Sequence, residues 1–174
     1  MTGSGGGVVV RVRGAGDVAE AAGALVVVHG TDGYPVEGVA DGEAWLSPPG
    51  LVRAWVAELA GRVVGHVALS RPAADEAVEL WLAGHPREPA PVLSLARLFV
   101  HPAARRRAAG EHLVRAATAH AHHLGARLVL DVVTKDTAAI RLYERLGWRR
   151  FGTAPHVFDG DRQADAACYV APDA

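Results

Sequence analysis

Residues 95–113, LARLFVHPAARRRAAGEHL, constrain what this chain can fold into more than any other stretch of the sequence. The apolar run at 95–100 predicts a strand, and the amphipathic run that begins at about 109 predicts a helix. The turn between them contains three consecutive arginines, then two alanines and a glycine. Such a junction directs unpaired backbone N–H groups and the positive end of a helix dipole towards one point. The stretch therefore predicts a phosphate-type anion site at the start of the helix.

The composition narrows the class of protein. The chain has 174 residues and 50% hydrophobic content, enough for one sizeable core, so we expect a single domain at 8–174 after a flexible tail at 1–7. A net charge of −1 provides no basic field for nucleic acid or a membrane surface. No apolar run reaches the roughly 18 residues that cross a bilayer. The single cysteine, Cys168, fits a reducing compartment, and we expect a cytoplasmic protein.

Hydrophobic periodicity and turn residues predict a chain of alternating strands and helices. The predicted elements are strand 8–13, a helix capped by Asp17 and running to about 29, a hairpin of strands 51–59 and 63–70, strand 95–100, helix 109–124, strand 127–133, helix 137–146 capped by Asp136, and strands 148–151 and 166–170. Because βα repeats are too few for a doubly wound fold, this order predicts an α/β or α+β fold with a mixed sheet.

Two segments stay ambiguous. Residues 30–50 are irregular, and their aromatic side chains, Tyr34 and Trp45, either line a substrate cleft or cover the edge of a core. Within 71–91, residues 76–82 form either a helical turn or a strand.

Two motifs carry a resemblance: the strand–turn–helix stretch at 95–113 and DTAAIRLYERLGW at 136–148. Together they resemble the GCN5-related N-acetyltransferase (GNAT) family, whose members move an acetyl group from acetyl-CoA to an amine. In the first, Arg106 and Ala108 stand where the family commonly has glycine, and a Cβ atom restricts positive φ. The residues that match the family's strand–loop–helix signature in register are Val100, Pro102, Arg105, Ala108, Gly110 and Leu113.

The resemblance implies the fold and the cosubstrate. The fold would be a mixed, mostly antiparallel twisted sheet of six to seven strands, flanked by about four helices. The cosubstrate would be acetyl-CoA, with no metal. The residues that the resemblance places against acetyl-CoA are Leu98, Phe99, Val100, Arg105, Arg106, Arg107, Ala108, Ala109, Gly110, Asp136, Ala139 and Tyr143.

The resemblance also supplies catalytic candidates. Tyr143 matches the tyrosine that protonates the departing CoA thiolate, although it also belongs to a core-facing stripe with Ile140 and Leu146. Asp131 interrupts an apolar strand and resembles a glutamate that acts as base in ribosomal-protein alanine acetyltransferases. Since aspartate is one methylene shorter than glutamate, we expect a water molecule to bridge Asp131 and the amine. The structural alternative pairs Asp131 with Arg127, Lys135 or a backbone donor. Glu79 and His66 are further candidate bases.

Three functions follow from these residues. The first is N-acetylation of a primary amine, either a small molecule or a protein N-terminus, by direct attack in a ternary complex. The second is a non-catalytic acyl-CoA-binding module, and the third is transfer of a different acyl chain. The resemblance also allows a homodimer. His120, His122 and His123 lack a carboxylate or cysteine partner at helical spacing, so we expect no zinc site.

Overall fold

A computed structural model describes residues 6–158 and 160–174, so most of the predicted tail lies outside the described residues. The elements are β1 (Val9–Val12), α1 (Val18–Asp32), α2 (Gly42–Leu46), β2 (Leu51–Leu59), β3 (Arg62–Ser70), α3 (Glu76–Gly84), β4 (Val92–Val100), α4 (Ala109–His123), β5 (Arg127–Val133), α5 (Thr137–Arg145), β6 (Arg149–Phe158) and β7 (Arg162–Val170).

The strands form one seven-stranded sheet in the order β1-β2-β3-β4-β5-β7-β6. Every neighbouring pair is antiparallel except β4 and β5, which are parallel. The crossover helix α4 connects the two parallel strands, β4 and β5, and the strands follow chain order except that β7 lies between β5 and β6. The predicted mixed, mostly antiparallel fold is confirmed.

Helices cover both faces of the sheet. On one face, α4 and α5 bury Leu113 and Tyr143 against inward-facing strand residues such as Leu93 and Leu130. On the other face, α1 and α2 pack on the β2–β4 half, and α3 packs on the β5–β7 half. The hydrophobic area buried in this way supplies the main stabilising free energy.

The predicted hairpin is confirmed in β2 and β3, and Asp136 caps α5 as predicted, since its Oδ1 accepts from Ala139 N at 3.2 Å. The ambiguous segment at 76–82 lies in a helix, α3. The irregular segment at 30–50 contains a short helix, α2. The described residues therefore form five α-helices, where about four were expected. The strand expected at 148–151 continues to Phe158.

Asp17 occupies the N-cap position of α1, as predicted, but its side chain makes no capping hydrogen bond to that helix. Its carboxylate instead accepts from Gly14 N at 2.6 Å and pairs with Arg11 at 2.7 Å. The carboxylate therefore stabilises the turn before α1, because it accepts from the main chain of that turn and pairs with Arg11 on β1.

Strand β4 contains a bulge that positions the site. The β3–β4 register shifts between His66 and Ala68, where Arg97 has a φ of 57°. Before the bulge, Leu95 packs in the α4 cluster, and after it Leu98 does so, while Phe99 joins the α1 cluster. A bulge bends its strand and increases the local twist. This strand therefore turns at Arg97, directly before the residues expected to contact the cosubstrate.

Candidate active site

A groove opens between β4 and β5. The two strands pair at Val92, Leu93 and Ser94, and the pairing ends with Ser94 opposite Val129. Among the described residues, the β5-facing side of β4 has no strand partner beyond that point, although β4 continues to Val100. An unpaired strand edge presents main-chain donors and acceptors to any extended ligand. The predicted contact residues Leu98, Phe99 and Val100 lie along this edge.

The basic turn has the backbone that its family motif implies. Arg106 has a φ of 61° and Ala108 a φ of 58°, both left-handed, at the two positions where the family commonly has glycine. Ala108 is the N-cap of α4, and no side chain among the described residues caps that helix. The first-turn N–H groups of α4 are consequently available to an anion, with the helix dipole adding to the attraction.

The three arginines differ in their surroundings. Arg105 pairs with Asp32, the last residue of α1. Arg106 and Arg107 are exposed, and within the described part of the chain neither has an ion-pair partner. Arg106 and Arg107 are thus available to pair with an anion, whereas Arg105 already has a carboxylate partner.

Small residues bring α4 close to its neighbours. Ala109 is buried, and a Cβ atom on Gly110 would lie 3.2 Å from Leu142 on α5 and 3.7 Å from Val100 on β4. Glycine at position 110 therefore permits the close packing of α4, α5 and the end of β4 that forms this corner of the groove.

We expect Ala108→Gly to raise the free energy of unfolding by about 1 kcal/mol, because glycine adopts left-handed backbone without the steric cost that alanine incurs. Chemical denaturation would measure this gain. The matched control is Ala109→Gly, which places glycine in the first helical residue and removes a buried methyl group, and it should lower stability by about 1 kcal/mol or more. Equal signs for the two variants would contradict the assignment of strain to Ala108.

Tyr143 lies on α5 with its ring in the core, 5% exposed, against the rings of Trp148 and Tyr169. Burial raises the pKa of its hydroxyl, and the charges of Asp136 and Asp131 raise it further. The phenol is therefore protonated at neutral pH and has a proton to donate. Ala139, one helical turn earlier, lies on the same face of α5.

Asp131 has a partner that the sequence analysis did not foresee. Its Oδ2 lies 2.8 Å from His156 Nδ1, and neither Arg127 nor Lys135 pairs with it. Arg127 instead pairs with Glu88 and Asp173. The structural alternative that paired Asp131 with one of those two cations is thus wrong. Both members of the pair remain partly exposed, Asp131 at 19% and His156 at 25% of the side chain.

Strand β7 brings the pair together. It lies between β5 and β6, and its register places Asp131 opposite Cys168 and His156 opposite Ala164. The β7 residue between these two, on the same face, is the buried Ala166. Small side chains on the middle strand let the longer ones on its neighbours meet above it. Contact between residues 131 and 156 therefore depends on the sheet order.

The segment between α1 and α2, together with Trp45, forms an aromatic wall that contacts the bulged part of β4. Tyr34 packs edge-on against Trp45, with ring centroids 5.9 Å apart, and both join the α1 cluster. Burial raises the pKa of Tyr34, and the carboxylates of Glu37 and Asp131 raise it further. The aromatic residues of this segment cover the core edge and also border the cleft.

Arg97 attaches this wall to the bulge. Its Nε donates to the Trp45 carbonyl at 2.5 Å, and its guanidinium lies 5.0 Å from the centre of the Trp45 ring. Burial lowers the pKa of Arg97 from its ordinary value. The residue that bends β4 therefore also fixes the position of α2.

His66 is a structural residue and not a candidate base. It is fully buried, and burial lowers its pKa to about 4. Arg13 donates to its Nε2 at 3.0 Å, so its Nδ1–H donates to the Arg97 carbonyl at 2.9 Å. With both ring nitrogens engaged, His66 supports the bulge and has no nitrogen left for a substrate. Glu79, the other alternative, is exposed on α3.

The remaining candidates have structural partners. His120 lies against Trp55, His122 is bonded to the Pro172 carbonyl at 3.0 Å, and Cys168 is buried. Among residues 6–158 and 160–174, no group of three His, Cys, Asp or Glu side chains is placed to hold a metal. No helix in that same part of the chain is long and apolar enough to cross a bilayer.

The open edge of β4, the uncapped start of α4 and the buried Tyr143 on α5 all belong to the two segments that carry the family motifs. The chain belongs to the Acetyltransferase (GNAT) family, whose model matches residues 24–148. That match confirms the resemblance drawn from the two sequence motifs. No curated protein matches the chain in sequence.

Solved structures show the same fold. Arabidopsis thaliana NAA60 in complex with acetyl-CoA superimposes with a TM-score of 0.69 at 16% identity, covering 94% of this chain and 97% of that one. The ribosomal-protein-S18-alanine N-acetyltransferase of Escherichia coli gives 0.68 at 17% identity, covering 95% and 93%. Salmonella typhimurium yncA with its cofactor acetyl-CoA gives 0.65 at 18% identity, covering 95% and 93%.

Sequence reasoning missed His156 and Arg97. His156 lies beyond the stretch 148–151 that was predicted as a strand, after Gly152 and Pro155, but β6 is an edge strand and tolerates proline. The tolerance of edge strands for proline was the signal in the sequence that could have extended this strand to His156. No sequence signal pointed to Arg97, because bulges at positive φ usually contain glycine.

Proposed function

We propose that this chain is an acetyl-CoA-dependent N-acetyltransferase that acts on a primary amine. The observation that carries the proposal is the split between β4 and β5, with an open main-chain edge at one end and an uncapped helix start beside it. Acetyl-CoA supplies an activated acetyl group when bound, with a diphosphate and an extended pantetheine arm. The residues present fit both parts of that molecule.

The chain's residues would divide the binding task. The edge at Leu98, Phe99 and Val100 offers hydrogen bonds to an extended amide chain, as an added strand would receive. The N–H groups of 106–110 would hold the diphosphate, with Arg106 and Arg107 adding charge. A main-chain N–H on β4 would polarise the acyl carbonyl. Asp136 and Ala139 would border the groove from the start of α5.

The catalytic residues would act from opposite faces of the sheet. Tyr143, on the α5 face, would donate its proton to the departing sulfur. Asp131, on the α3 face, would provide the carboxylate through which the incoming amine loses its proton. The charges of Asp131, Glu37 and Glu76 all raise the pKa of His156, so this side of the cleft is acidic. An acidic cleft would favour a cationic amine.

We further propose a cytoplasmic location and one catalytic domain at 8–174. The location is supported by the single buried thiol, Cys168, and the domain by one sheet that joins all seven strands. Arginines on an exposed turn and a left-handed Ala108 retain the loop geometry that the family's glycines would adopt, which favours an active enzyme over a non-catalytic module.

Two measurements test the function. Acetyl-CoA at about a hundredfold excess over its dissociation constant should stabilise the fold by about 2.7 kcal/mol, which would raise the melting temperature by roughly 5–10 °C. CoA and succinyl-CoA serve as comparisons for the acyl chain. Thiol release should then occur with one member of a panel of spermidine, kanamycin, free amino acids and an alanyl peptide. A melting temperature unchanged by every acyl-CoA would overturn the proposal.

A further inference from the structure

The Asp131–His156 pair leaves one imidazole nitrogen available. An ionised carboxylate only accepts hydrogen bonds, so the 2.8 Å contact requires a proton on His156 Nδ1. The lone pair of the neutral ring is then on Nε2, which has no hydrogen-bond partner among the described residues. With a quarter of the side chain exposed, this nitrogen can receive a proton and later release it to solvent.

The ring of His156 stacks on Phe158, and the charges that act on it are those of three carboxylates: Asp131 on β5, Glu37 between α1 and α2, and Glu76 on α3. The hydrogen bond with Asp131 is the main cause that raises the pKa of His156, the three charges raise it further, and burial opposes the shift. Among the side chains, imidazole is the one whose ordinary pKa lies nearest to neutral pH, which is where a general base is most effective. The imidazole is consequently the better proton acceptor of the pair.

The location of the pair fits the acceptor side. Asp131 lies on β5 two residues beyond Val129, where the pairing of β5 with β4 ends and the groove opens. Tyr143 approaches from the α5 face, whereas His156 lies on the face that carries α1, α2 and α3. The proton-donating and proton-accepting groups are therefore separated by the sheet, with the groove between them.

We propose that His156 is the catalytic base, through Nε2, and that Asp131 is a positioning residue that fixes the tautomer of the ring. This assignment rests on the proposed acetyl transfer. His156 Nε2 takes one proton from the amine as the nitrogen forms its bond to the acyl carbon. The C–S bond breaks, and the sulfur takes the proton of Tyr143. Solvent then receives the proton of His156, and Tyr143 is reprotonated, so charge and atoms balance.

The test compares His156→Gln and Asp131→Asn with His123→Gln, a matched control on the exposed end of α4. Rates are measured from about pH 5 to 9 with acetyl-CoA and the most reactive amine of the panel. In the wild type, kcat/KM should fall as pH decreases through the pKa of His156, because the imidazolium cannot accept a proton. His156→Gln should lose about 10²- to 10³-fold in kcat and lack this fall, with acetyl-CoA affinity unchanged.

Asp131→Asn separates positioning from structural support. Loss of the carboxylate removes the main cause that raises the pKa of His156, so the fall in kcat/KM should move to lower pH. NMR of the imidazole in the free protein provides a readout that needs no substrate. It should show Nδ1–H in the wild type and a lower pKa in Asp131→Asn, whereas His123→Gln changes neither.

The outcomes distinguish the two proposals. A wild type that binds no acetyl-CoA and acetylates no amine overturns the proposed function. An active wild type overturns this inference alone if His156→Gln keeps its kcat within about threefold and retains the fall at low pH. An imidazole protonated on Nε2 in the free wild type also overturns it, even where a variant fails to fold.

Discussion

Tyr143→Phe should lower kcat by about 10²- to 10³-fold while the KM for acetyl-CoA changes little. The substitution removes the only proton donor that the proposed reaction assigns to the sulfur, and general-acid contributions have this size. The ring, which packs against Trp148 and Tyr169, is retained, so the core should keep its packing. Single-turnover rates of thiol release would measure the chemical step separately from product release.

Tyr169→Phe is the matched control. Tyr169 is equally buried and its ring lies 6.5 Å from that of Tyr143, but its hydroxyl donates to Glu144 at 2.8 Å. We expect this variant to lose about 1.5–3 kcal/mol of stability, as removal of a hydrogen bond to a charged group does, and to retain its kcat. A Tyr143→Phe enzyme with a kcat near that of Tyr169→Phe would exclude the phenol as the acid.

Gly50→Ala should destabilise the fold by about 3 kcal/mol. Gly50 has a φ of 83°, and a Cβ atom there would lie 2.3 Å from the Arg71 carbonyl oxygen. Because Arg71 N also donates to the Gly50 carbonyl at 2.8 Å, the two backbones cannot separate without breaking a hydrogen bond. Left-handed strain and backbone displacement each contribute about 1–2 kcal/mol. The melting temperature should fall by roughly 6–12 °C.

Gly61→Ala isolates the contribution of the close contact. Gly61 has a similar φ of 76°, but a Cβ atom there would meet nothing within 4 Å. This variant should therefore lose only the cost of left-handed backbone, about 1 kcal/mol. Equal losses in denaturant midpoints for the two variants would show that the backbone at Arg71 yields freely.

Local sequence patterns were enough to predict most of the fold. The turn glycines after α4 and α5, Gly125 and Gly147, both have positive φ and end their helices as expected. The cap at Asp136 and the β2–β3 hairpin likewise depend on residues close together in the chain. Helix periodicity, caps and tight turns are local, which is why one sequence can indicate them.

The site was only partly predictable, because its geometry depends on contacts distant in sequence. Residues 131 and 156 meet only because β7 inserts between β5 and β6. Arg105 was expected to bind phosphate, but the end of α1 places Asp32 beside it. In both cases the partner's identity follows from strand order or helix length, and neither has a signature in the neighbouring residues.

The bulge at Arg97 shows that a single extra residue can change both the direction of a strand and the packing beside it. Opposite Val67, β4 has one residue more than a regular ladder with β3 requires. A β4 without that residue would keep Leu98 on the same face, since the side-chain alternation would then be regular. It would lose the bend that turns the strand from β5, the carbonyl that accepts from His66 and the guanidinium that holds Trp45. One extra residue in β4 thus accounts both for the bend of the strand beside the groove and for the attachment of α2 to it.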